Sequence, residues 1–236
     1  MGQKLEIGKF LSLKQQELNA EEDDLIDKLE VSTQSIHRWL QYCEYHYICL
    51  VGASEEGDLR LDRISSTGYR RAGETVTVRY VYEANIAAFL NSLHALLDSF
   101  PYLLYLFIPR GKSNFRELKW NKEFIDRYKD ESFYDELMNF LLDRTFNKVK
   151  GYVNTIKHKH LIRISNKWDH LEFEEYQYRQ PYRDGQGGVM YQDEVVAGEN
   201  VLTFIEACHD ELIPKLFSLC NSILQSKASE LQGRQG

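Results

Sequence analysis

The sequence predicts a mainly α-helical protein, a bundle of about four long helices with one or two small peripheral β hairpins. Four long stretches carry apolar residues at three- and four-residue steps, the period of a helix with one buried face. Alternating apolar and polar residues, typical of half-exposed strands, are confined to segments near 58–82 and 160–180. With 236 residues, of which 43% are hydrophobic, the chain can bury one sizeable core.

The predicted organisation has three parts. Residues 1–31 form an N-terminal helical arm, because their apolar positions are sparse and are interrupted by the acidic run 21–24. Residues 32–228 form a single helical-bundle domain that carries both β insertions. The tail 229–236 is expected to be disordered.

The first half of the bundle domain shows clear helix and strand signals. Ser32 or Thr33 can cap a helix that ends near Gly52. Residues 59–64 are a candidate strand, and 75–82, TVTVRYVY, form the clearest strand in this half. These two segments together predict a hairpin.

The second half is dominated by three helices. Glu83–Ile108 is apolar nearly all round and therefore belongs at the centre, with a kink or break expected at Pro101. A second long helix begins at Glu131 and runs into a strand–turn–strand pattern after residue 160. A last amphipathic helix starts near Glu199 and bends at Pro214.

The formal net charge of −7 argues against a surface built throughout to neutralise phosphates. The stretch 144–167 nevertheless contains seven cations and no acid. It predicts a local RNA-binding patch whose phosphate contacts are Arg144, Lys148, Lys150 and Arg163. The other interpretation is a solvated helix face that is paired with the acidic segment 172–175.

Cofactors, metals and membranes find no support in the pattern. Cys43 and Cys49, like Cys208 and Cys220, lack C-x-x-C spacing, so we expect buried reduced thiols. We expect no bound metal and no cofactor. No apolar run approaches the roughly 20 residues of a membrane span, which predicts a cytoplasmic protein.

The candidate site lies near the end of the 131–164 element. Asn154, Lys157 and His158 stand at i, i+3 and i+4, so a helix places them on one face within reach of one another. Here the sequence N-T-I-K-H resembles the HEPN superfamily of small helical bundles. Near the end of a long helix, many active members carry an arginine, then four to six residues of which the first is often polar, and then a histidine. Asn154 matches the polar position and His158 the histidine, while the arginine position holds Val153.

The resemblance implies an RNA-directed protein, either a weak metal-independent ribonuclease or one that binds RNA without cleaving it. Cleavage needs a group that exchanges a proton and a cation that stabilises charge on phosphorus. His158 would exchange the proton, Lys157 would supply the charge and Asn154 would position one of them. The competing interpretation is structural: a Lys-His pair at a helix C-terminus interacts favourably with the helix dipole.

A second polar stripe, Asn91, His94 and Asp98, lies on the Glu83–Ile108 helix. If that helix crosses the candidate site, Asp98 or His94 could orient His158 as a carboxylate orients a catalytic imidazole. The alternative is a hydrogen-bonded polar pair in the core or a solvent-facing stripe.

A function of another class stays open, namely a non-catalytic protein-interaction or scaffold module that binds a protein partner. For either function we expect a homodimer formed through apolar helix faces. Relatives in the HEPN superfamily pair two motifs in this way.

Overall fold

The computed structural model describes residues 6–17, 23–55, 68–71, 74–111, 114, 117–167 and 170–235. The mainly helical class is confirmed, whereas a bundle of about four long helices is not. The helices are α1 (Gly8–Glu17), α2 (Asp23–Glu55), α3 (Val78–Phe107), α4 (Lys122–Ile125), α5 (Tyr134–Leu142), α6 (Arg144–His158), α7 (Val201–Ala207) and α8 (Ile213–Gln235). A 3₁₀ turn, Asp126–Tyr128, follows α4, and a π-helical turn, Cys208–Leu212, joins α7 to α8.

The strands in the described part of the chain form three antiparallel pairs. Two pairs are short: β1 (Gly68–Arg71) with β2 (Glu74–Thr77), and β3 (Ile164–Asn166) with β4 (Leu171–Phe173). The third pair, β5 (Tyr176–Arg183) with β6 (Val189–Val196), has eight residues in each strand. A small hairpin lies in each of the two predicted regions, with Gly68–Arg71 as the observed partner of β2, but the β6 strand was not predicted.

The chain divides into two compact units. Unit 1 comprises Met1–Trp39, Ala95–Asp143 and Leu212–Gly236, and unit 2 comprises Leu40–His94 and Arg144–Glu211. The predicted boundary after residue 31 falls inside α2. No helix among the described residues is both long enough and apolar enough to cross a bilayer.

The core of unit 1 is aromatic. Trp120 stacks between Phe100 and Phe140, at ring-centroid distances of 5.4 and 5.0 Å, and its Nε1–H donates to the Leu97 carbonyl at 2.7 Å. Phe10 of α1 is fully buried, with its ring centroid 4.8 Å from that of Phe107. The first helix of the predicted arm is therefore part of this core.

Glu17, the last residue of α1, ties that helix to α8. Its carboxylate accepts from Lys14 at 2.9 Å and pairs with Lys227 at 2.7 Å. Burial raises the pKa of Glu17, but the hydrogen bonds from Lys227 and Lys14 outweigh that effect and hold its pKa below the ordinary value.

The core of unit 2 lies under α6. Tyr152 meets Phe173 and Tyr176 edge to face, at centroid distances of 5.5 and 5.9 Å, and Phe173 meets Phe204 at 5.8 Å. Burial raises the pKa of the Tyr152 phenol well above its usual range. These contacts join α6 to β4, β5 and α7 in one apolar cluster.

β5 packs unusually closely against α6, at Gly151. A Cβ on Gly151 would stand 2.3 Å from the Tyr178 Cβ and 3.1 Å from its Cα, so only glycine permits this approach. The position of β5 along α6 is therefore fixed by the one glycine in that helix.

The predicted strand 75–82 is corrected to a strand followed by a helix, because β2 ends at Thr77 and α3 begins at Val78. Val78, Tyr82 and Ile86, each four residues apart, are buried, whereas Tyr80 is exposed. That burial follows the helical period, so packing outweighs the β propensity of the segment. The candidate strand 59–64 lies outside the described residues.

Two predicted helix ends in α2 are also corrected. Ser32 and Thr33 do not cap a helix but are buried inside α2, where the Thr33 hydroxyl donates to the Glu30 carbonyl at 2.7 Å. Gly52 does not end the helix, which continues to Glu55. α3 likewise continues through Pro101 to Phe107, so the predicted break there is absent.

The element predicted as one helix from Glu131 is two helices. Asp143 has extended backbone angles, φ −60° and ψ 127°, which interrupt the helical path between α5 and α6. Near the C-terminus, the π-helical turn ends at Leu212, two residues before Pro214, which lacks the N–H that a regular α-helix would use. The tail predicted to be disordered is helical to Gln235.

Replacing Gly52 in α2 and Gly151 in α6 should change stability in opposite directions. Gly151→Ala should lower the free energy of unfolding by about 1–2 kcal/mol, because the clash with Tyr178 exceeds the helix propensity of alanine. Gly52→Ala should raise it by about 0.5–1 kcal/mol, because nothing lies within 4 Å of the added Cβ. Urea unfolding followed by circular dichroism measures both; a stabilising Gly151→Ala would contradict the close approach.

Candidate functional site

The three residues of the predicted site lie together on the exposed side of α6. Asn154, Lys157 and His158 are all exposed, whereas Val153 and Thr155 beside them are buried. The side chains of the three make no hydrogen bond or ion pair within the described part of the chain. The amphipathic pattern of α6 thus leaves an amide, an ammonium and an imidazole facing solvent.

The last two residues of α6 and the three residues after it form a short exposed segment, Lys157–Leu161, which we call the basic segment. The Thr155 carbonyl accepts the N–H groups of Lys159 and His160, at 2.8 and 3.2 Å, and so closes the last helical turn. The basic segment contains two lysines, two histidines and a leucine that is 54% exposed.

Three of the four cations predicted to contact phosphates are already paired with acids. The Arg144 guanidinium lies 2.7 Å from the Glu194 carboxylate, and the Arg163 guanidinium lies 2.8 Å from the Glu174 carboxylate. Lys148 pairs with Glu199. The fourth, Lys150, has its Nζ 5.1 Å from the centroid of the Phe146 ring. The basic stretch is therefore largely neutralised by acids of unit 2.

Tyr178 joins Arg144 and Glu194 in a hydrogen-bonded network. Its hydroxyl bonds the Glu194 carboxylate and accepts from the Arg144 Nε at 3.0 Å. The hydroxyl of Tyr178, with Gln192 and Arg144, holds the pKa of Glu194 below its usual range, so this carboxylate stays ionised beside the guanidinium. Arg163 acts in the same way on Glu174, whose pKa it lowers, and the charge of His160 contributes to that effect.

Within the described part of the chain, none of the residues predicted to support His158 makes a hydrogen bond with it. His94 is buried and makes no hydrogen bond with His158, which is exposed. The Asn91 amide donates to the Ala87 carbonyl of its own helix at 2.7 Å. Asp98 is exposed and belongs to unit 1.

A histidine that sequence reasoning missed lies in the π-helical turn. The Nε2 of His209 is 2.9 Å from the Glu44 carboxylate, its Nδ1 is 2.6 Å from the Asp210 carboxylate, and its ring stacks on Tyr47 with centroids 3.8 Å apart. Carboxylates only accept, so both bonds form together only when both ring nitrogens carry protons. Burial, followed by the charges of Asp210, Glu206 and Glu44, raises the pKa of Tyr47.

The geometry of this cluster makes His209 a clamp between α2 and the π-helical turn. Glu44 and His209 are 165 positions apart in the sequence, so no local spacing indicates their contact. In the sequence, the only signal of this cluster is that His209 and Asp210 are adjacent within the last predicted helix. π-Helical turns are frequent at functional sites, and here the turn brings the imidazole to α2.

Metal and thiol chemistry have little basis among the described residues. In that part of the chain no three His, Cys, Asp or Glu side chains converge as metal ligands. The cysteines are free, and Cys43, Cys208 and Cys220 are buried. Burial raises the pKa of the Cys43 thiol to about 12, which keeps it protonated and unreactive.

Comparison with known proteins adds no relative: no protein-family model, curated protein or solved structure matches this chain. The resemblance to the HEPN superfamily therefore stays a prediction from sequence, based on residues 153–158 and their place near a helix end.

Removing the bonds between His209 and the two carboxylates should destabilise the protein. His209→Phe keeps an aromatic ring to stack on Tyr47 but abolishes both bonds to carboxylates, so we expect the free energy of unfolding to fall by about 1–3 kcal/mol. His37→Phe is the matched control, because His37 is exposed and should change stability by less than about 0.5 kcal/mol. Equal urea midpoints for the two variants would show that the clamp contributes nothing.

Proposed function

We propose that this protein binds RNA through the basic segment Lys157–Leu161 and Asn154, and that it does so without cleaving the RNA efficiently. The observation that carries this function is a contrast in charge pairing. Lys157 and Lys159 are exposed and have no acidic partner within the described part of the chain, whereas Arg144, Lys148 and Arg163 are paired. Unpaired exposed cations are the ones that can exchange bulk counterions for a phosphate.

At the basic segment, attraction for a phosphate has to come from side chains and not from the helix dipole. The C-terminus of α6 carries the negative end of the helix dipole, which opposes an anion by about 0.3–1 kcal/mol. Two lysines close to one another offset that unfavourable contribution. The imidazole rings supply surfaces on which unpaired bases can stack, and the exposed Leu161 offers an apolar contact, which favours single-stranded RNA.

Efficient cleavage lacks support because of Val153. In the superfamily motif this position holds an arginine, but here Val153 is fully buried in the core of unit 2. The cation nearest to that role, Lys157, is a point charge without the bidentate fork that an arginine offers phosphate. His158 is available for proton exchange, yet the partner that would stabilise charge on phosphorus is the weaker one.

RNA affinity should depend on the unpaired lysines and not on the paired arginines. For a labelled single-stranded RNA at low salt, Lys157→Ala combined with Lys159→Ala should weaken binding about tenfold and reduce the salt slope by roughly 1.4. The control, Arg144→Ala combined with Arg163→Ala, removes the same charge and should change affinity less than about twofold. Fluorescence anisotropy measures both. Equal losses in the two variants, or no binding by the wild type at about 100 μM, would refute the proposed interface.

Cleavage should be negligible for wild type and for His158→Ala alike. The assay incubates purified full chain with mixed RNA in the presence of a chelator and follows fragments by gel electrophoresis. Turnover by the wild type that is lost in His158→Ala would overturn the non-cleaving function and establish His158 as the acid/base of a ribonuclease.

A protein-interaction module is the second candidate, and the exposed face of α2 favours it. Tyr42, Tyr45, Ile48 and Val51 follow at three-residue steps in unit 2 and are between 41% and 58% exposed. Apolar side chains grouped in this way on a helix are typical of a binding surface. The two functions are separable, since Tyr45→Ser should leave RNA affinity unchanged.

A further inference from the structure

The β5–β6 hairpin has one protected edge and one open edge. β5 lies against α6 at Gly151, and Pro181 within β5 has no N–H to offer another strand. β6 has eight residues, contains no proline and pairs only with β5 among the described residues. A long unprotected edge is a template for pairing with a further strand.

The backbone groups that point outward from β6 can be identified. The Asp184 N–H donates to the Gly188 carbonyl at 3.0 Å, at the turn end of the hairpin. Hydrogen-bonded and non-hydrogen-bonded residue pairs alternate along an antiparallel ladder. Counting from Gly188, the β6 residues whose backbone groups bond β5 are Met190, Gln192, Glu194 and Val196. The N–H and C=O groups that point away from β5 therefore belong to the remaining β6 residues, which are Val189, Tyr191, Asp193 and Val195.

The geometry points to a second copy of this chain as the partner of that edge. We propose that two β6 strands pair antiparallel around a two-fold axis and form a continuous four-stranded sheet, in the order β5–β6–β6–β5. The sequence predicted a homodimer through helix faces, whereas this contact uses a strand that the sequence did not reveal. It depends on β6 alone and is independent of RNA binding.

Hydrogen bonding selects where the axis passes. With the axis at Gln192, Tyr191 faces Asp193 of the second copy, and Val189 faces Val195 of the second copy. Every outward N–H and C=O of both strands is then paired. Moving the axis to Asp193 or to Tyr191 leaves an end residue of each strand without a partner.

Side-chain charge selects the same register. An axis at Asp193 would place two like carboxylates directly opposite one another, which is destabilising. With the axis at Gln192, each Asp193 instead lies between Tyr191 of the second copy and Arg179 of its own β5, whose Nε is 3.9 Å from the Asp193 carboxylate. The cross-strand row through Asp193 thus contains one acid and one base.

Apolar burial favours the pairing as well. Val195 and Tyr191 are 49% and 43% exposed in the single chain, and the guanidinium of Arg179 already covers the Tyr191 ring at 5.1 Å. In the paired sheet Val189 and Val195 become β-branched neighbours, a combination that stabilises adjacent strands.

Disulfide trapping tests the register in the full chain. In Gln192→Cys, the new thiol of one copy faces the same thiol of the second copy across the axis. The two residues form a non-hydrogen-bonded pair whose Cα atoms lie about 4.5 Å apart, a distance that permits a disulfide. We expect a dimer on a non-reducing gel that reductant removes. The matched controls are Tyr191→Cys and Asp193→Cys, whose thiols would not face each other, together with wild type, which reports on the native cysteines.

Charge exchange gives an independent measurement by sedimentation equilibrium. Val189→Lys and Val195→Glu, each alone, should weaken dimerisation about tenfold, and both together in one chain should restore it, because each lysine then faces a glutamate of the second copy. Circular dichroism checks that each variant folds. A wild type that stays monomeric at about 100 μM, stronger trapping at 191 or 193 than at 192, or no recovery in the double variant would overturn the pairing.

Discussion

The contact between Gly151 of α6 and Tyr178 of β5 is the constraint on which the rest of unit 2 depends. Because no side chain separates them, the strand lies directly on the helix and fixes which face of α6 is covered. Val153 and Tyr152 are thereby buried, and Asn154, Lys157 and His158 are turned to solvent. A larger residue at position 151 would move β5 and the aromatic cluster beneath it.

The same contact determines the surroundings of the two proposed interfaces. It holds β5 against the helix, so β6 becomes the outer strand with its edge toward solvent. It also brings Tyr178 and Glu194 to Arg144, which neutralises one end of the basic stretch. At the other end of α6, the exposed Lys157 and Lys159 have no acidic partner within the described residues. Charge is thus concentrated at one end of α6 by packing and not by composition.

The sequence predicted individual helices and strands well where the spacing of apolar residues followed either the helical or the strand period alone. The apolar faces of α3 and α8 and the alternation in β3 and β4 were readable, because burial on one side imposes its period on the sequence. Predictions failed where two signals competed. The segment 75–82 has strand propensity and helical burial, and burial prevailed because a buried Val78 and Tyr82 contribute more than intrinsic preference. Ser32 and Thr33 have cap chemistry but lie within a continuous helix.

The sequence by itself determined the helical class, the small hairpins and the place of Asn154, Lys157 and His158 on one face, because helix periodicity is a property of neighbouring residues. Only the tertiary structure decided which cations are neutralised, that His209 meets Glu44, that Val153 is buried and that β6 has an open edge. Those outcomes depend on contacts between residues far apart in the chain, such as Arg144 with Glu194, and no local pattern encodes which distant side chain arrives.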